Sequence, residues 1–207
     1  MFVQFCPMVK SMINKEKKIV KLILIFSLSI MLAYADDIDE FLKTKNCSKC
    51  DLSNARFIGD LHAAIADDSL LTNCEFIYSS FDHASLNNTF LTKSQAQSFW
   101  NPYFYSQATF REASFKGAFL NFTNFSSVEF SGANFENANF KNANLENANF
   151  SNANFKGAIL DDANFKNTIL IGSNISEEQL TKVASKECAI LPDGSLYTSN
   201  TNIKCLF

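Results

Sequence analysis

The sequence predicts an all-β solenoid, in which the chain turns once every five residues around an apolar axis. Two observations predict it. From Ala108 onward, every fifth residue is Phe, Leu or Ile, for fourteen consecutive centres from Phe110 to Ile175. The residue two positions before each centre is small, and it is Ala in ten of the fourteen units.

Neither an α-helix nor a flat strand can bury this pattern. On a helix, five residues advance the chain by about 500°, so successive centres drift around the axis. On a strand, five is an odd number, so successive centres point to opposite faces. The chain must therefore turn in each unit, with the small residue and the centre both facing inward because they are two apart. The last position of the unit is often Asn or Gly, as at Gly117, Gly132 and Asn137, and these residues tolerate turn geometry.

The unit is plainest in the run Ala133-Asn134-Phe135-Glu136-Asn137. It resembles the A-(D/N)-(L/F)-x-x unit of the pentapeptide-repeat family, and the resemblance covers residues 108–175 without a gap. It implies a right-handed quadrilateral parallel β-helix with four units per coil and short helical caps. Residues twenty apart should then stack in outward columns, in which the signs of the charges alternate. Three such columns are Lys116, Glu136 and Lys156; Asn121, Lys141 and Asp161; and Ser126, Glu146 and Lys166.

Residues 1–35 predict a secretory signal peptide. A basic segment with Lys15, Lys17, Lys18 and Lys21 precedes an apolar run from Leu22 to Leu32, and the motif Ala33-Tyr34-Ala35 follows. The run is shorter than the roughly 20 residues that span a bilayer. We therefore expect cleavage after Ala35 and a periplasmic or secreted protein, with a membrane anchor through residues 19–35 as the alternative.

A weaker array precedes the regular one. It begins at Leu52 and Phe57 and slips by one residue, and the spacing of five then holds from Leu61 to Leu91. Phe110 follows Leu91 by nineteen residues, one short of a full coil, so the intervening segment is either a distorted coil or a protruding loop. Exposed aromatic side chains of a loop would be candidates for binding another protein. These interaction candidates are Phe99, Trp100, Tyr103, Phe104 and Tyr105.

Both ends of the repeats predict caps. Residues 36–42 form an acidic, amphipathic helical pattern. Ser176-Glu177-Glu178-Gln179 is a capping box opening a helix that carries Leu180, Val183 and Ala184. The Cys-x-x-Cys-Asp-Leu lead-in and the late Leu-Pro-Asp-Gly resemble the ends of family members. The predicted segments are 1–35 signal peptide, 36–49 N-terminal cap, 50–91 weak repeats, 92–107 irregular coil or loop, 108–175 regular repeats, and 176–207 capping helix and tail.

Five cysteines remain beyond residue 35, so one is left over whichever pairs form. Cys188 and Cys205 flank a short loop, and a disulfide between them is predicted in an oxidising compartment. Cys47 and Cys50 form a C-x-x-C, for which a disulfide, a redox role and a zinc role are open. The redox role lacks a βαβ context, and the zinc role lacks a second ligand pair. Cys50 and Cys74 occupy the small inward position, which favours core cysteines.

The sequence predicts no catalytic residue, no cofactor and no metal site. His62 and His83 are the only histidines, and neither lies in a nucleophile, acid–base or metal motif. Cleavage after residue 35 would remove five of 18 basic and one of 21 acidic residues, leaving a net charge of −7. That balance argues against nucleic acid as a partner, because binding phosphates requires a basic patch.

The family resemblance also suggests a function, the mimicry of DNA toward DNA gyrase by a strongly acidic rod. Residues 108–175 carry six acids and five bases, which imitates poorly a duplex with a charge about every 1.7 Å. The sequence therefore predicts a non-catalytic, rigid scaffold, exported or in the cell envelope, for an unknown protein or envelope partner. A homodimer is left open. A gyrase modulator, and thiol or metal handling through Cys47 and Cys50, are the alternatives.

Overall fold

The computed structural model describes residues 37–94, 108–201 and 203–205. All the described residues belong to a single compact unit. The predicted signal peptide and the interaction candidates lie outside the described residues. Those candidates are Phe99, Trp100, Tyr103, Phe104 and Tyr105.

Short parallel bridges join each coil to the next, and their spacing gives the length of a coil. In the regular array Asn124 pairs with Asn144, and Asn144 pairs with Asn164. A coil is therefore 20 residues long, or four units of five. The predicted fold class is confirmed: the chain is a right-handed quadrilateral parallel β-helix.

Each corner of the coil is a tight turn with a left-handed residue. At a typical corner the Ala138 N–H donates to the Phe135 carbonyl, at 3.0 Å. The residue between them, Asn137, has a φ of 59°, and Gly157 at an equivalent corner has a φ of 70°. A positive φ at the third residue is the feature of a type II turn, and Gly and Asn adopt it at least cost. This requirement explains why the last position of the unit is so often Asn or Gly.

The first coils contain the two longer strands. Strand β1 (Arg56–Asp60) pairs in parallel with strand β2 (Glu75–Ser80). Phe57 pairs with Phe76, nineteen residues on, whereas Gly59 pairs with Ser79, twenty residues on. The one-residue slip predicted after Phe57 is therefore confirmed, as a register shift inside this pair of strands.

Aromatic rings fill the axis of the solenoid. Phe115, Phe135 and Phe155 stack in successive coils, with ring centroids 5.1 and 5.4 Å apart. Within one coil, Phe130 meets Phe135 edge to face at 5.3 Å. All four side chains are fully buried. Stacked and edge-to-face pairs at these distances are the favourable arrangements of aromatic rings, so the period of five brings about a continuous aromatic core.

A helix lies at each end of the stack. Helix α1 covers residues 37–44, and its Phe41 ring packs 5.7 Å from Phe57. Helix α2 (Glu177–Lys182) begins with the predicted capping box, which is confirmed by reciprocal bonds between Ser176 and Gln179. The helix ends at Lys182, so the expectation that it carries Val183 and Ala184 is wrong; Val183 is its C-cap. Among the described residues, no helix combines the length and the apolar character that a membrane span needs.

The register changes abruptly between the two arrays of repeats. Ser80 pairs with Thr109 and Phe90 with Phe119, each across 29 residues, nine more than a coil. Phe110 accordingly stacks on Phe81, at 5.3 Å, and not on Leu91. The coils of Phe90 and Phe119 are directly hydrogen bonded, as in the bond from the Leu91 N–H to the Phe119 carbonyl at 2.8 Å. The choice between a distorted coil and a protruding loop concerns residues 95–107, which lie outside the described residues.

The irregular segment also begins later than predicted. Residues 92–94 belong to a regular corner, in which the Ser94 N–H donates to the Leu91 carbonyl at 2.9 Å. The nine additional residues are therefore inserted after Ser94, between the end of one face of the coil and the start of the next face.

An ion pair between Asp82 and Arg111 joins the two coils at this junction. The Nε and Nη2 atoms of Arg111 donate to Asp82 Oδ2 at 2.9 and 2.6 Å, and the Arg111 backbone N–H donates to Oδ1 at 2.8 Å. Burial alone would raise the pKa of the Asp82 carboxyl, but the hydrogen bonds from Arg111 outweigh burial and lower it. The carboxylate thus holds together two coils that are separated by 29 residues of chain.

Candidate interaction surface

The residue before each centre points outward, and on three faces of the solenoid it is mostly polar. Asn144 Nδ2 donates to Asn124 Oδ1 at 3.1 Å, and Asn154 Nδ2 donates to Asn134 Oδ1 at 2.8 Å. Many of the same oxygens also accept the backbone N–H two residues on. The side chains of each ladder hydrogen bond to one another along the rod, and the two ladders contain six of the eight outward asparagines, Asn124, Asn144, Asn164, Asn134, Asn154 and Asn174.

The fourth face differs from the other three. We call it the Phe119 face, and its outward column is Asp51, Leu70, Phe90, Phe119, Asn139 and Ile159. Leu70, Phe90, Phe119 and Ile159 are 40%, 42%, 39% and 47% exposed. The rings of Phe90 and Phe119 stack in parallel with centroids 4.6 Å apart. Phe122, at the adjoining corner, is 56% exposed.

The apolar column exposes an area comparable to that of the largest apolar patch on a typical monomer. An aromatic side chain covers about 150–250 Å² when buried. The exposed parts of Phe90, Phe119 and Phe122 therefore present on the order of 300 Å², before Leu70 and Ile159 are added. Patches of this size on monomers commonly mark binding sites. The four outward apolar side chains in one column therefore make the Phe119 face the candidate binding surface of the rod.

Two columns of charged and polar residues border the Phe119 face. The Lys156 edge is Asp67, Asn87, Lys116, Glu136 and Lys156, and the Asp161 edge is Thr72, Thr92, Asn121, Lys141 and Asp161. On the Lys156 edge, Glu136 lies 3.0 Å from Lys116 and 3.8 Å from Lys156. The predicted stacking of this column is therefore confirmed. The hydrogen bond from Lys116 lowers the pKa of Glu136.

The other two predicted columns differ from each other. Lys166 and Glu146 form an ion pair at 3.5 Å, as expected from their spacing of twenty. Lys141 and Asp161, on the Asp161 edge, are not joined by a salt bridge within the part of the chain that the structure describes. The predicted stacking of this column is confirmed by the backbone hydrogen bonds between its coils, from the Phe122 N–H to the Lys141 carbonyl and from the Asn142 N–H to the Asp161 carbonyl. Both charged side chains border the Phe119 face without a mutual ion pair.

The structure brings the predicted cysteines together in two pairs. The Cα atoms are 5.5 Å apart in Cys188–Cys205 and 5.6 Å apart in Cys47–Cys50, the usual separation across a disulfide. Cys50 is half-buried and paired, so its interpretation as a simple core cysteine is wrong. Cys74 is buried, and burial raises the pKa of its thiol to about 12. A thiol with so high a pKa is unreactive.

Asp37, Cys47 and Cys50 lie close enough together to be a candidate metal site. Asp37 offers a carboxylate oxygen that lies within 4.8 Å of both sulfur atoms. The sulfur atoms are bonded to each other, however, and a zinc site needs free thiolates and usually four ligands. The Asp37 carboxylate instead accepts the Asp51 N–H at 2.9 Å and so connects α1 to the first coil. This arrangement fits a structural disulfide.

Two further groups could be taken for chemical sites. His62 and His83 lie in no nucleophile, acid–base or metal motif of the sequence, and the structure places their rings 4.9 Å apart, with His83 Nδ1 3.1 Å from a Glu112 oxygen. They stand on an exposed corner.

A depression of about 500 Å³ lies beside α2, and Glu178 and Lys182 are among its lining residues. The hydrogen bond from Lys182 lowers the pKa of Glu178, the opposite of what a general base needs at neutral pH.

The family follows from the repeats themselves. Residues 106–142 and 138–177 match the family profile described as Pentapeptide repeats, in eight copies. The chain is a pentapeptide-repeat protein. The coils of this pentapeptide-repeat protein also extend in front of the matched region, since Asp51, Leu70 and Phe90 bridge in sequence to Phe119. No curated protein sequence gives a significant match to the chain.

Solved structures of other pentapeptide-repeat proteins resemble this one. HetL, involved in heterocyst differentiation regulation in the cyanobacterium Nostoc sp. strain PCC 7120, is 20% identical over 73% of this chain and 76% of its own, with a TM-score of 0.40. Rfr23 from the cyanobacterium Cyanothece 51142 is 19% identical over 76% and 98%, with a TM-score of 0.30. A thylakoid-lumen protein of Arabidopsis thaliana is 23% identical over 66% and 73%, with a TM-score of 0.29.

Proposed function

We propose that this pentapeptide-repeat protein is a non-catalytic, exported interaction scaffold, and that the Phe119 face is its binding surface. The observation that carries the proposal is the column of exposed apolar side chains on one face of a rod whose other faces carry mostly polar outward residues. Covering such side chains removes apolar surface from water, which is the main favourable contribution to association. A rigid stack of coils also loses little conformational freedom on binding.

Export is supported by the sequence and by the cysteine pairs. A basic segment, an apolar run and Ala33-Tyr34-Ala35 form the pattern of a cleaved signal. Two cysteine pairs at disulfide separation suit an oxidising compartment. Sequencing the N-terminus of the protein from fractionated cells tests this part of the proposal. A chain that begins at Asp36 in the periplasmic or external fraction is expected, and an intact cytosolic chain would contradict export.

The electrostatics of the first array argue against a DNA mimic. Asp82 is held by Arg111, and Glu75 lies 3.3 Å from Arg56. Asp67 accepts hydrogen bonds from Ser85 Oγ and from the Asn87 N–H. A mimic would need these charges to be directed outward like the phosphates of a duplex. We expect no change in DNA supercoiling by gyrase at micromolar concentrations of the protein, and inhibition at that concentration would support the gyrase-modulator alternative.

Capture experiments with matched variants test the binding surface. Tagged wild-type protein is expected to retain a partner from envelope extracts, and Phe119→Lys is expected to lose it. Ile171→Lys is the control, because Ile171 is 45% exposed at a different corner of the rod. A triple Ala variant of Trp100, Tyr103 and Tyr105 tests the aromatic candidates. If only the triple variant loses the partner, the Phe119 face is not the binding surface.

A further inference from the structure

The two edges of the Phe119 face carry opposite charges at the same level. In the coil of Asn139, Glu136 lies on the Lys156 edge and Lys141 on the Asp161 edge. In the next coil, that of Ile159, Lys156 and Asp161 occupy the same two positions. The sign therefore reverses both across the face and from one coil to the next.

This pattern is complementary to itself under one symmetry operation. A two-fold axis that runs along the face, parallel to the solenoid axis, keeps every coil at its own level and exchanges the two edges. Glu136 then faces the partner's Lys141, and Lys156 faces the partner's Asp161, and the symmetry repeats both contacts on the opposite edge. The apolar side chains of the column meet their own copies, so Phe119 faces the partner's Phe119.

We propose that the Phe119 face forms a parallel, in-register homodimer. The proposal rests on the proposed function of this face as a binding surface, and it names a second copy of the chain as the occupant. Charge complementarity of this kind fixes register and excludes wrong arrangements. The proposed dimer also gives Lys141 and Asp161 partners of opposite charge, whereas within the described part of one chain they have no ion pair with each other.

Antiparallel arrangements of the same two faces are less favourable. With Phe119 on the two-fold axis, an antiparallel pair brings Lys93 to the level of the partner's Lys141, which carries the same charge. With the axis half a coil lower, Asp68 comes to the level of the partner's Glu136. Like charges that face each other across an interface oppose association. The parallel, in-register pair sets opposite charges against each other on both edges, at Glu136–Lys141 and at Lys156–Asp161, while the apolar column meets its own copy.

Asn139 is expected to fix the register of the proposed dimer. Asparagine ladders elsewhere join residues twenty apart, but the residues twenty before and after Asn139 are Phe119 and Ile159. Its Oδ1 accepts the Lys141 N–H at 2.9 Å. In the proposed dimer the two Asn139 carboxamides face each other inside an apolar seam. A single polar pair in such a seam specifies register, because any shift buries the amide against apolar groups.

The size of the surface sets the expected affinity. The three exposed phenylalanines of two copies contribute on the order of 600 Å², and the other residues of the face bring the total near the lower limit of about 1,200 Å² for specific interfaces. A dimer of this size is expected to dissociate in the micromolar range, so its mass should depend on concentration.

Sedimentation equilibrium of the protein purified from cells expressing the full gene tests the dimer. The wild-type protein should pass from monomer to dimer between about 1 and 100 µM, the range expected for a small interface. Phe119→Lys should weaken dimerisation at least about tenfold, because it places two lysines on the symmetry axis. Ile171→Lys should leave it unchanged. A monomer at every concentration, or an equal loss with Ile171→Lys, would overturn the proposal.

Charge exchange separates a specific contact from a general loss of stability. Lys156→Asp should weaken the dimer, because it faces the partner's Asp161 with a like charge. Adding Asp161→Lys in the same chain should restore it, because both contacts are then reversed. Circular dichroism and thermal melting establish that the variants are folded. A double variant that stays as weak as Lys156→Asp would refute the in-register pairing.

Single-cysteine cross-linking tests the orientation. Ile159→Cys should link to its own copy with a short bismaleimide, whereas Ile171→Cys should not. An antiparallel dimer would instead link Ile159→Cys to Leu70→Cys in a mixture of the two variants, and that result would overturn the proposal. If capture requires Phe119 but the protein is monomeric, the binding surface stands and the homodimer fails. If the dimer forms and nothing else is captured, the second copy is the partner of this face.

Discussion

Replacing Phe135 by Ala removes one ring from the middle of the aromatic axis. Phe135 is fully buried, and five neighbouring rings surround it with centroids 5.0 to 5.7 Å away. Two of these rings belong to the coils above and below, and three belong to other faces. The substitution therefore opens a cavity that touches three coils.

The expected loss follows from the cavity and from the lost ring contacts. A Phe→Ala change in a packed core costs about 3–5 kcal/mol, and each favourable aromatic pair contributes about 0.5–1.5 kcal/mol beyond its area. The coils above and below hold the backbone by parallel bridges, so the cavity cannot collapse freely. We expect a loss of about 4–5 kcal/mol in the free energy of unfolding, at the upper end of the range for this substitution.

Urea denaturation followed by circular dichroism measures this loss. With a denaturant slope of about 2 kcal/mol per molar, the midpoint should fall by about 2 M. Phe122→Ala is the matched control, because Phe122 is 56% exposed and its change should cost under about 0.5 kcal/mol. Equal midpoint shifts for the two variants would refute the assignment of the axis.

Three further predictions follow from the ion pair and the cysteines. Asp82→Asn should cost about 1–3 kcal/mol at pH 7 through its contact with Arg111. The ion pair lowers the pKa of Asp82. Its contribution to stability is therefore present above pH ~4 and is lost as the pH falls through the folded-state pKa. Below pH ~4 the melting temperature of the variant should accordingly fall less steeply than that of the wild type. Cys188→Ser with Cys205→Ser should lower the free energy of unfolding by about 3 kcal/mol for a closed loop of 17 residues, and a thermal midpoint unaffected by the double change would argue against the disulfide. Cys74, whose pKa is raised to about 12, should react with a maleimide only after unfolding, and rapid labelling of the native protein would show that it is accessible.

The axis and the corners could be predicted from the sequence because each depends on a local rule. A period of five with a small residue two positions before each centre requires an inward pair and a turn, wherever the unit lies in the chain. The capping box at Ser176 and Gln179 is likewise a local pattern. The cysteine pair Cys188–Cys205 follows from the short loop between its members.

The Phe119 face could not be predicted, because it depends on the length of one particular coil. The sequence shows only that Phe90 and Phe119 interrupt a run of polar outward residues. They belong to one column because nine extra residues lengthen the coil between them to 29. The spacing of nineteen residues between Leu91 and Phe110 resembles the length of one coil, since Phe57 and Phe76 in the first coils are also nineteen residues apart. Searching for apolar outward residues at every coil length from 19 to 29 would have revealed the column.

Photo-cross-linking in intact cells tests the central claim most directly. A benzophenone amino acid replaces Phe119 in one strain and Ile171, the exposed control residue, in another. Irradiation is expected to yield a defined protein adduct at position 119 and none at position 171, and mass spectrometry then identifies the adduct as a second copy or another protein. An absence of adducts at position 119, or the same adducts at both positions, would contradict the Phe119 face as the binding surface.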